Sequence, residues 1–224
     1  MKRSTLNQYL KEAKAFFDKY SFKLPPWAHF SPEDWQSKGA DYNEVRKNML
    51  GWDITDFGSG DFEKVGLFLF TVRNGNYNDP NNKKSYAEKI MIVREKQITP
   101  CHFHWKKMED IINRGGGVLC IQLWKANEKE EITKDDFTVQ TDGVTRHCKS
   151  GDIVRLTPGE SITLEPYVYH KFWAEGGMTL VGEVSQVNDD NNDNRFYETI
   201  GRFPKIEEDE KSLHLLCNEY TTVN

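Results

Sequence analysis

The 224-residue sequence has little excess charge, and the excess that exists is negative. Thirty Lys and Arg residues stand against 35 Asp and Glu residues, which leaves a net charge of −5. Proteins that bind nucleic acid draw much of their affinity from basic groups that neutralise phosphates. The composition therefore argues against a nucleic-acid partner.

Long apolar runs are also missing. The longest mostly apolar stretch, residues 65–72, is far shorter than the roughly 20 residues that a membrane-spanning helix needs. The first residues mix Lys and Glu among apolar positions, whereas a signal peptide has a continuous apolar core. These features predict a cytoplasmic protein without a membrane partner.

Cysteine is sparse. The four cysteines, Cys101, Cys120, Cys148 and Cys217, are far apart and no pair has the CxxC spacing. A chain of this length can bury a sufficient core without disulfides. We therefore predict four reduced thiols.

Aromatic residues, in contrast, make up 12% of the chain, more than a disordered protein carries, and they can fill a core or stack on a sugar. Apolar residues recur at three- and four-residue steps from Leu6 to Phe17, which predicts an amphipathic helix capped by Ser4 and Thr5. From Trp52 onward, short β-rich runs alternate with Gly, Pro, Asn and Asp, as in an antiparallel barrel or jelly roll. We predict one all-β domain over residues 1–224, with a helical segment (residues 1–50) packed outside a β-barrel with a C-terminal extension (residues 51–224).

One segment concentrates residues that can bind a metal ion. His102 and His104 are two residues apart in a β-rich run, so both imidazoles face the same side of the strand. Glu109 follows closely, and His170 lies in a later strand whose Phe172 shares its face. Imidazoles and a carboxylate suit Mn, Fe, Co, Ni or Zn.

These motifs resemble those of known proteins. The segment HFHWKKMEDIINRGG resembles the first metal motif of the cupins, and PYVYH resembles the second. Longer blocks, among them LPPWAHFSP, LGWDITDFG and VGEVSQVNDDNNDN, resemble the D-lyxose isomerases, which are aldose–ketose isomerases built on a single cupin barrel.

The resemblance implies a ligand set and an activity. The metal, usually Mn²⁺, would be bound by His102, His104, Glu109 and His170. The reaction would interconvert D-lyxose and D-xylulose, with D-mannose and D-fructose as a side activity, through a metal-stabilised enediol. The family also implies a homodimer that acts on a neutral sugar.

Isomerisation needs groups that move a proton between C1 and C2. Glu183 is a candidate base if it faces inward, because burial would raise the pKa of its carboxyl group; an outward, solvated side chain is the alternative. Lys107 matches a lysine of the family, and it shares the histidine face only if the strand bends after Trp105. Glu109 is a further candidate base.

Other residues are candidates for contact with the sugar or for structural roles. Lys89 has the strand parity of an inward residue, and Trp105 and Tyr42 offer stacking faces. The glycines at 115–117 lack the GK[ST] ending of a phosphate loop and predict a tight bend. The acidic run at 207–211 predicts a solvated loop.

Two other functions are compatible with the same ligand set. Three histidines and a glutamate also bind ferrous iron in a dioxygenase with positions open to O₂. A non-catalytic sugar-binding cupin is the third possibility. Lys107 and Glu183 favour the isomerase, because proton transfer needs acid–base groups and oxygen activation does not.

Overall fold

A computed structural model describes residues 1–221. The helices are α1 (Arg3–Lys19), α2 (Pro32–Gln36) and α3 (Asn43–Lys47), and short 3₁₀ turns cover Pro26–His29 and Ala40–Tyr42. The strands are β1 (Gly51–Thr55), β2 (Leu67–Arg73), β3 (Tyr86–Val93), β4 (Thr99–Phe103), β5 (Glu109–Lys125), β6 (Phe137–Thr141), β7 (Val144–Cys148), β8 (Ile153–Leu156), β9 (Ser161–Leu164), β10 (Val168–Gln186) and β11 (Arg195–Phe196).

The strands pair in antiparallel fashion around two long neighbours, β5 and β10. One path through the sheet runs β1-β2-β3-β10-β5-β9-β6-β7, while β4 pairs with β10 and β11, and β8 pairs with β5. Apolar side chains from both halves of β5 and β10 meet in one interior core. The predicted all-β antiparallel architecture with helices outside is therefore confirmed.

A bulge in β10 decides which of its side chains reach the interior. Gly176 and Gly177 have φ values of 75° and 126°, and the pairing of β10 with β5 shifts at this point. His170 faces the interior before the bulge and Glu183 faces it afterwards. These two residues are an odd number of positions apart, so a regular strand would point them to opposite faces.

The glycines of β5 lie against this bulge. Gly116 has a φ of 103°, and a Cβ atom added to it would lie 2.2 Å from the carbonyl oxygen of Met178. Only glycine therefore allows the two backbones to approach this closely. The prediction of a tight bend was wrong: residues 115–117 lie within β5, and they are needed for strand-to-strand contact.

Helix α1 covers the outer face of β1–β3. Its apolar side chains and the outward side chains of the strands form a second core, which includes Leu6, Leu10, Phe17, Trp52, Ile54, Phe68, Phe70 and Ile92. Much of the aromatic content is used in this layer. The interior of the barrel is thus left for the other face of the same strands.

The acidic C-terminal run binds the first turn of α1. The helix begins at Arg3, and Lys2, which offers no side-chain cap, precedes it instead of Ser4 or Thr5. Asp209 accepts hydrogen bonds from the backbone N–H and the hydroxyl of Ser4, and Glu208 pairs with Arg3. Carboxylates at a helix N-terminus satisfy free N–H groups and complement the helix dipole. The run is an exposed loop, as predicted, and two of its carboxylates also bind the first turn of α1.

The described residues contain neither a membrane-spanning helix nor a disulfide. No helix within residues 1–221 has the length and apolar character needed to cross a membrane. All four cysteines are free, in agreement with the predicted absence of disulfides.

Truncation of the helix–sheet core tests this arrangement. Leu10 is fully buried, and we expect Leu10→Ala to lower the free energy of unfolding by about 2–5 kcal/mol in urea titrations. The exposed Gln8 on the same helix provides the control, because Gln8→Ala should change stability by less than about 0.5 kcal/mol. Equal effects of the two variants would contradict the docking of α1.

Candidate metal centre and active site

Three histidines converge inside the barrel. His102 on β4 lies directly opposite His170 on β10, and their ring centroids are 4.2 Å apart. His104 follows the end of β4, and one ring nitrogen from each of the three residues lies within 4.8 Å of the others. The period-two spacing of His102 and His104 therefore brings both imidazoles to the same side, as predicted.

The hydrogen bonds of these rings leave Nε2 free to bind a metal. Each Nδ1 lies at hydrogen-bond distance from a backbone carbonyl oxygen: His102 from Pro100 (2.8 Å), His104 from Asp193 (2.6 Å) and His170 from Val168 (3.0 Å). A neutral ring that donates from Nδ1 carries its lone pair on Nε2, the usual arrangement of a metal-binding histidine. Nε2 of His104 and Nε2 of His170 are buried without a hydrogen-bond partner.

Glu109, the first residue of β5, adds a carboxylate to the three rings. Its Oε1 atom lies 3.3 Å from Nε2 of His104 and 3.3 Å from Nε2 of His170. Buried nitrogens of this kind are costly unless something binds them. The donor set of three imidazoles and one carboxylate fits a divalent ion such as Mn, Fe, Co, Ni or Zn.

A cluster of buried charges adjoins this donor set. The Lys107 ammonium lies 2.7 Å from Oε2 of Glu109 and 2.9 Å from Oε1 of Glu183. Lys89 lies 3.3 Å from the same oxygen of Glu183, and Oδ1 of Asn188 accepts from both lysines. Two ammonium groups thus balance two carboxylates, as burial of charge requires.

The charges of the cluster reinforce one another. Burial favours the neutral acid at Glu109, but the charge of Lys107, together with the contact with His104, outweighs it and holds the pKa of Glu109 well below its usual value. Burial also opposes ionisation of Glu183, yet Lys107 and Lys89 lower its pKa. Burial does act in the expected direction, but the expected net rise in the pKa of Glu183 is wrong, because two ammonium groups lie within reach.

His102 is held in its neutral form. Burial, together with repulsion from the neighbouring rings of His170 and His104, places the pKa of His102 well below its usual value. A neutral imidazole is the form that binds a metal ion.

Asp193 positions the loop that carries His104 and Lys107. Its carboxylate accepts the backbone N–H groups of Lys106 and Lys107, each at 2.9 Å, while its carbonyl oxygen binds His104. The chain leaves the strand after Phe103, slightly earlier than predicted, and this turns Lys107 toward the histidine face. Sequence reasoning missed this role, although Asp193 lies in the NDDNNDN stretch of one block quoted for the family resemblance.

The remaining walls of the cavity are apolar on one side and polar at the rim. Leu67, Leu69, Met91 and Phe172 contribute the apolar lining. At the rim, Arg202 pairs with Asp53 and with Asp190. Neither Arg202 nor Asp190 was recognised in the sequence, because ion pairs between distant loops leave no local pattern.

The structure brings some predicted substrate residues to this cavity and leaves others elsewhere. Lys89 lines it, in agreement with its strand parity. Tyr42 instead packs on Phe30 and Trp35 among the N-terminal helices, and the indole N–H of Trp105 donates to Glu130 at 2.7 Å. Tyr42 and Trp105 do not line the cavity, so their side chains are used in packing and surface hydrogen bonding.

The fold and the family follow from comparison with known proteins. The L-ribose isomerase of Cellulomonas parahominis superposes with a TM-score of 0.61 at 15% identity, over 92% of this chain and 98% of that one. That of Acinetobacter sp. DL28, solved with L-ribose as a mutant, gives 0.56 at 16%, again over 92% and 98%. The fold is therefore that of the cupin-type barrel, as predicted.

The sequence comparisons are more specific. The D-lyxose isomerase family matches residues 1–220. The D-lyxose/D-mannose isomerases of Escherichia coli O157:H7 and Serratia proteamaculans are each 50% identical over 98% of this chain and 98% of their own length. The chain belongs to the D-lyxose isomerase family, and its enzyme class is that of the aldose–ketose isomerases.

Removal of one imidazole tests the metal centre. His170→Ala deletes a nitrogen donor and should weaken Mn²⁺ binding more than about 100-fold, as measured by titration of the metal-free protein. The exposed His147 on β7 supplies the control, since His147→Ala should bind the ion normally. Unchanged affinity in a folded His170→Ala protein would contradict the proposed ligand set.

The lowered pKa values predict how stability depends on pH. In the metal-free protein, the unfolded state binds a proton at His102 below about pH 6.5, whereas the folded state does not. The free energy of unfolding should therefore fall as the pH falls below that value, and fall further below about pH 4.3, where unfolded Glu109 and Glu183 become protonated. Urea titrations at several pH values measure this slope.

A variant isolates the contribution of His102. His102→Gln removes the titrating ring, so the slope between pH 5 and 6.5 should decrease by up to about 1.4 kcal/mol per pH unit. His29 and His214 also have lowered pKa values and keep their contributions in the variant. An identical slope in both proteins would contradict a lowered pKa of His102 in the folded state.

Proposed function

We propose that the protein is a metal-dependent D-lyxose isomerase that interconverts D-lyxose and D-xylulose and also converts D-mannose to D-fructose. The observation that carries the proposal is the position of Lys107, which contacts Glu109 of the metal-binding set and Glu183 at once. An acid–base group is thus adjacent to the donor set for a divalent ion. The curated relatives with 50% identity are named for both sugars.

His102, His104, Glu109 and His170 would bind the ion, which we propose to be Mn²⁺, with Co²⁺, Fe²⁺, Ni²⁺ or Zn²⁺ as substitutes. When bound, such an ion supplies Lewis acidity that polarises a carbonyl group. The other catalytic functions belong to side chains of this chain.

Glu183 is the proposed base. Its lowered pKa keeps the carboxylate ionised at neutral pH, which is the form that accepts a proton. In the forward reaction the carboxylate removes the proton from C2 of the aldose and returns it to C1. Glu109 is also a carboxylate within this cluster, but two of its contacts are to metal-binding rings, so Glu183 is the freer of the two.

Lys107 couples proton transfer to charge stabilisation. While Glu183 is ionised, the ammonium of Lys107 is shared between two carboxylates. When Glu183 takes up the substrate proton it loses its charge, and the ammonium then has one anionic partner fewer. At that moment negative charge develops on the sugar oxygens, and Lys107 can donate a hydrogen bond to them. The charges of the cluster are therefore arranged to stabilise the transition state.

The surroundings support this chemistry. Lys107, Glu109 and Glu183 are each at most 5% exposed, and apolar side chains form much of the wall. Exclusion of water strengthens every electrostatic interaction in the cavity. A neutral sugar also matches a protein with negative net charge better than a phosphorylated sugar would.

We further propose that the protein is a homodimer, as the family resemblance implies, and that it is cytoplasmic. The free thiols are compatible with a reducing compartment. Light scattering of the purified protein measures the assembly directly.

The activity is tested by incubating the Mn²⁺-loaded protein with D-lyxose in the absence of oxygen. We expect D-xylulose, together with exchange of the C2 proton with solvent deuterium. Turnover that needs O₂ would favour the dioxygenase, and sugar binding without exchange would favour a non-catalytic cupin. Failure to convert any aldopentose or aldohexose would refute the isomerase.

Replacement of the proposed base gives a sharper test. Glu183→Gln keeps the shape of the side chain and removes its basicity, so kcat should fall by a factor on the order of 10² to 10⁴. Metal content should not change, because Glu183 is outside the donor set. Glu175→Gln, on the same strand but partly exposed, is the control and should retain activity; preserved kcat in Glu183→Gln would exclude it as the base.

A further inference from the structure

Among the described residues, three buried side-chain atoms have no hydrogen bond, and all belong to one cavity. Within residues 1–221, the buried side-chain nitrogen and oxygen atoms without a hydrogen bond are Nε2 of His104, Nε2 of His170 and Oγ1 of Thr99. All three residues line the candidate active site. A bound metal explains the two nitrogens, but it does not by itself explain the hydroxyl group.

The hydroxyl of Thr99 is out of place in its surroundings. Thr99 opens β4 opposite Phe172, and its side chain is 2% exposed, so solvent does not reach it freely. A buried hydroxyl without a hydrogen bond destabilises a fold, whereas an apolar side chain of similar shape at the same place would not. The sugar-free protein therefore gains nothing in stability from this oxygen.

A second threonine in the same cavity, Thr55 on β1, provides a contrast. Oγ1 of Thr55 donates to the carbonyl oxygen of Arg202 and accepts the backbone N–H of Phe57. Its hydrogen-bonding capacity is used by the fold itself. The charged groups Lys89, Lys107 and Glu183 are likewise paired with one another, which leaves Thr99 as a neutral hydroxyl available to a ligand.

We propose that Thr99 is a substrate-binding residue whose hydroxyl group exchanges a hydrogen bond with a hydroxyl of the sugar that takes no part in the isomerisation. The inference rests on the proposed sugar-isomerase function and adds a specificity contact to it. A hydroxyl both donates and accepts, so it pairs with a neutral sugar hydroxyl without adding charge to a balanced cluster. A site that supplies such a partner discriminates against analogues that lack the hydroxyl.

The test measures the KM for the sugar and the stability of the sugar-free protein. If the hydroxyl served only the fold, its removal would lower the stability and leave KM unchanged. Thr99→Val removes only the hydroxyl, so the KM for D-lyxose and D-mannose should rise about three- to tenfold. The sugar-free protein should be as stable as the wild type or more stable, and its Mn²⁺ affinity should be unchanged. Thr99→Ser, which restores the oxygen, should recover most of the lost affinity.

Thr179→Val is the matched control. Thr179 is fully buried on β10, and its hydroxyl donates to the carbonyl oxygen of Gly177 at 3.4 Å, outside the cavity. This variant should leave KM unchanged and should not gain stability, because its hydroxyl already has a partner.

Deoxy sugars identify the hydroxyl that Thr99 contacts. For most D-mannose analogues that lack one hydroxyl beyond C2, the wild type should bind more tightly than Thr99→Val by the same factor as for D-mannose. The exception is the analogue that lacks the hydroxyl contacted by Thr99. For that analogue the two proteins should bind equally. A constant difference across all analogues would contradict a direct hydrogen bond.

Other outcomes separate this inference from the proposed function. Unchanged KM in Thr99→Val, or lower stability with unchanged KM, would overturn the inference, because the hydroxyl would then serve the fold. If the wild type converts no sugar, the proposed function fails, and calorimetric Kd values for D-mannose with both proteins still decide whether Thr99 contacts the sugar.

Discussion

The buried ammonium of Lys107 is the interaction on which the cavity depends. It contacts Glu109 on one side and Glu183 on the other, and without it two carboxylates would remain buried with insufficient compensation. Lys89 completes the balance from β3. The neutral cluster lets the fold hold four charged groups out of water, and it places the positive charge of Lys107 between Glu109 of the candidate metal centre and Glu183, the proposed base.

The backbone is shaped to deliver these groups to one place. The glycine bulge at residues 176–177 reverses the facing of β10, so that one strand supplies both His170 and Glu183. Asp193 fixes the backbone of the loop after β4, which orients His104 and Lys107 together. Two irregular features, a bulge and a loop, therefore set the geometry that regular strands alone would not produce.

The features of the candidate site that could be predicted from the sequence are those set by a local pattern of residues. The spacing of His102 and His104 and the parity of His170 predicted three residues that converge, because strand alternation is a local rule. The direction of Glu183 was undecided, since it depends on a bulge, and its pKa shift was predicted with the wrong sign because its ammonium partners are distant in sequence. Trp105 and Tyr42 were assigned to the sugar from residue type alone, and their packing lies elsewhere.

Stability and function are separated in this fold along the two faces of one sheet. The outer face of β1–β3 carries apolar side chains that pack on α1. The interior holds two nitrogens and one hydroxyl without a hydrogen bond, on β4, on the loop after it and on β10. Buried polar groups are normally hydrogen-bonded within the protein. Exceptions to this rule are expected at sites where a ligand supplies the missing hydrogen bond. A well-packed outer layer offsets the cost of such departures, so the fold tolerates a cavity in which three buried polar atoms are left for ligands.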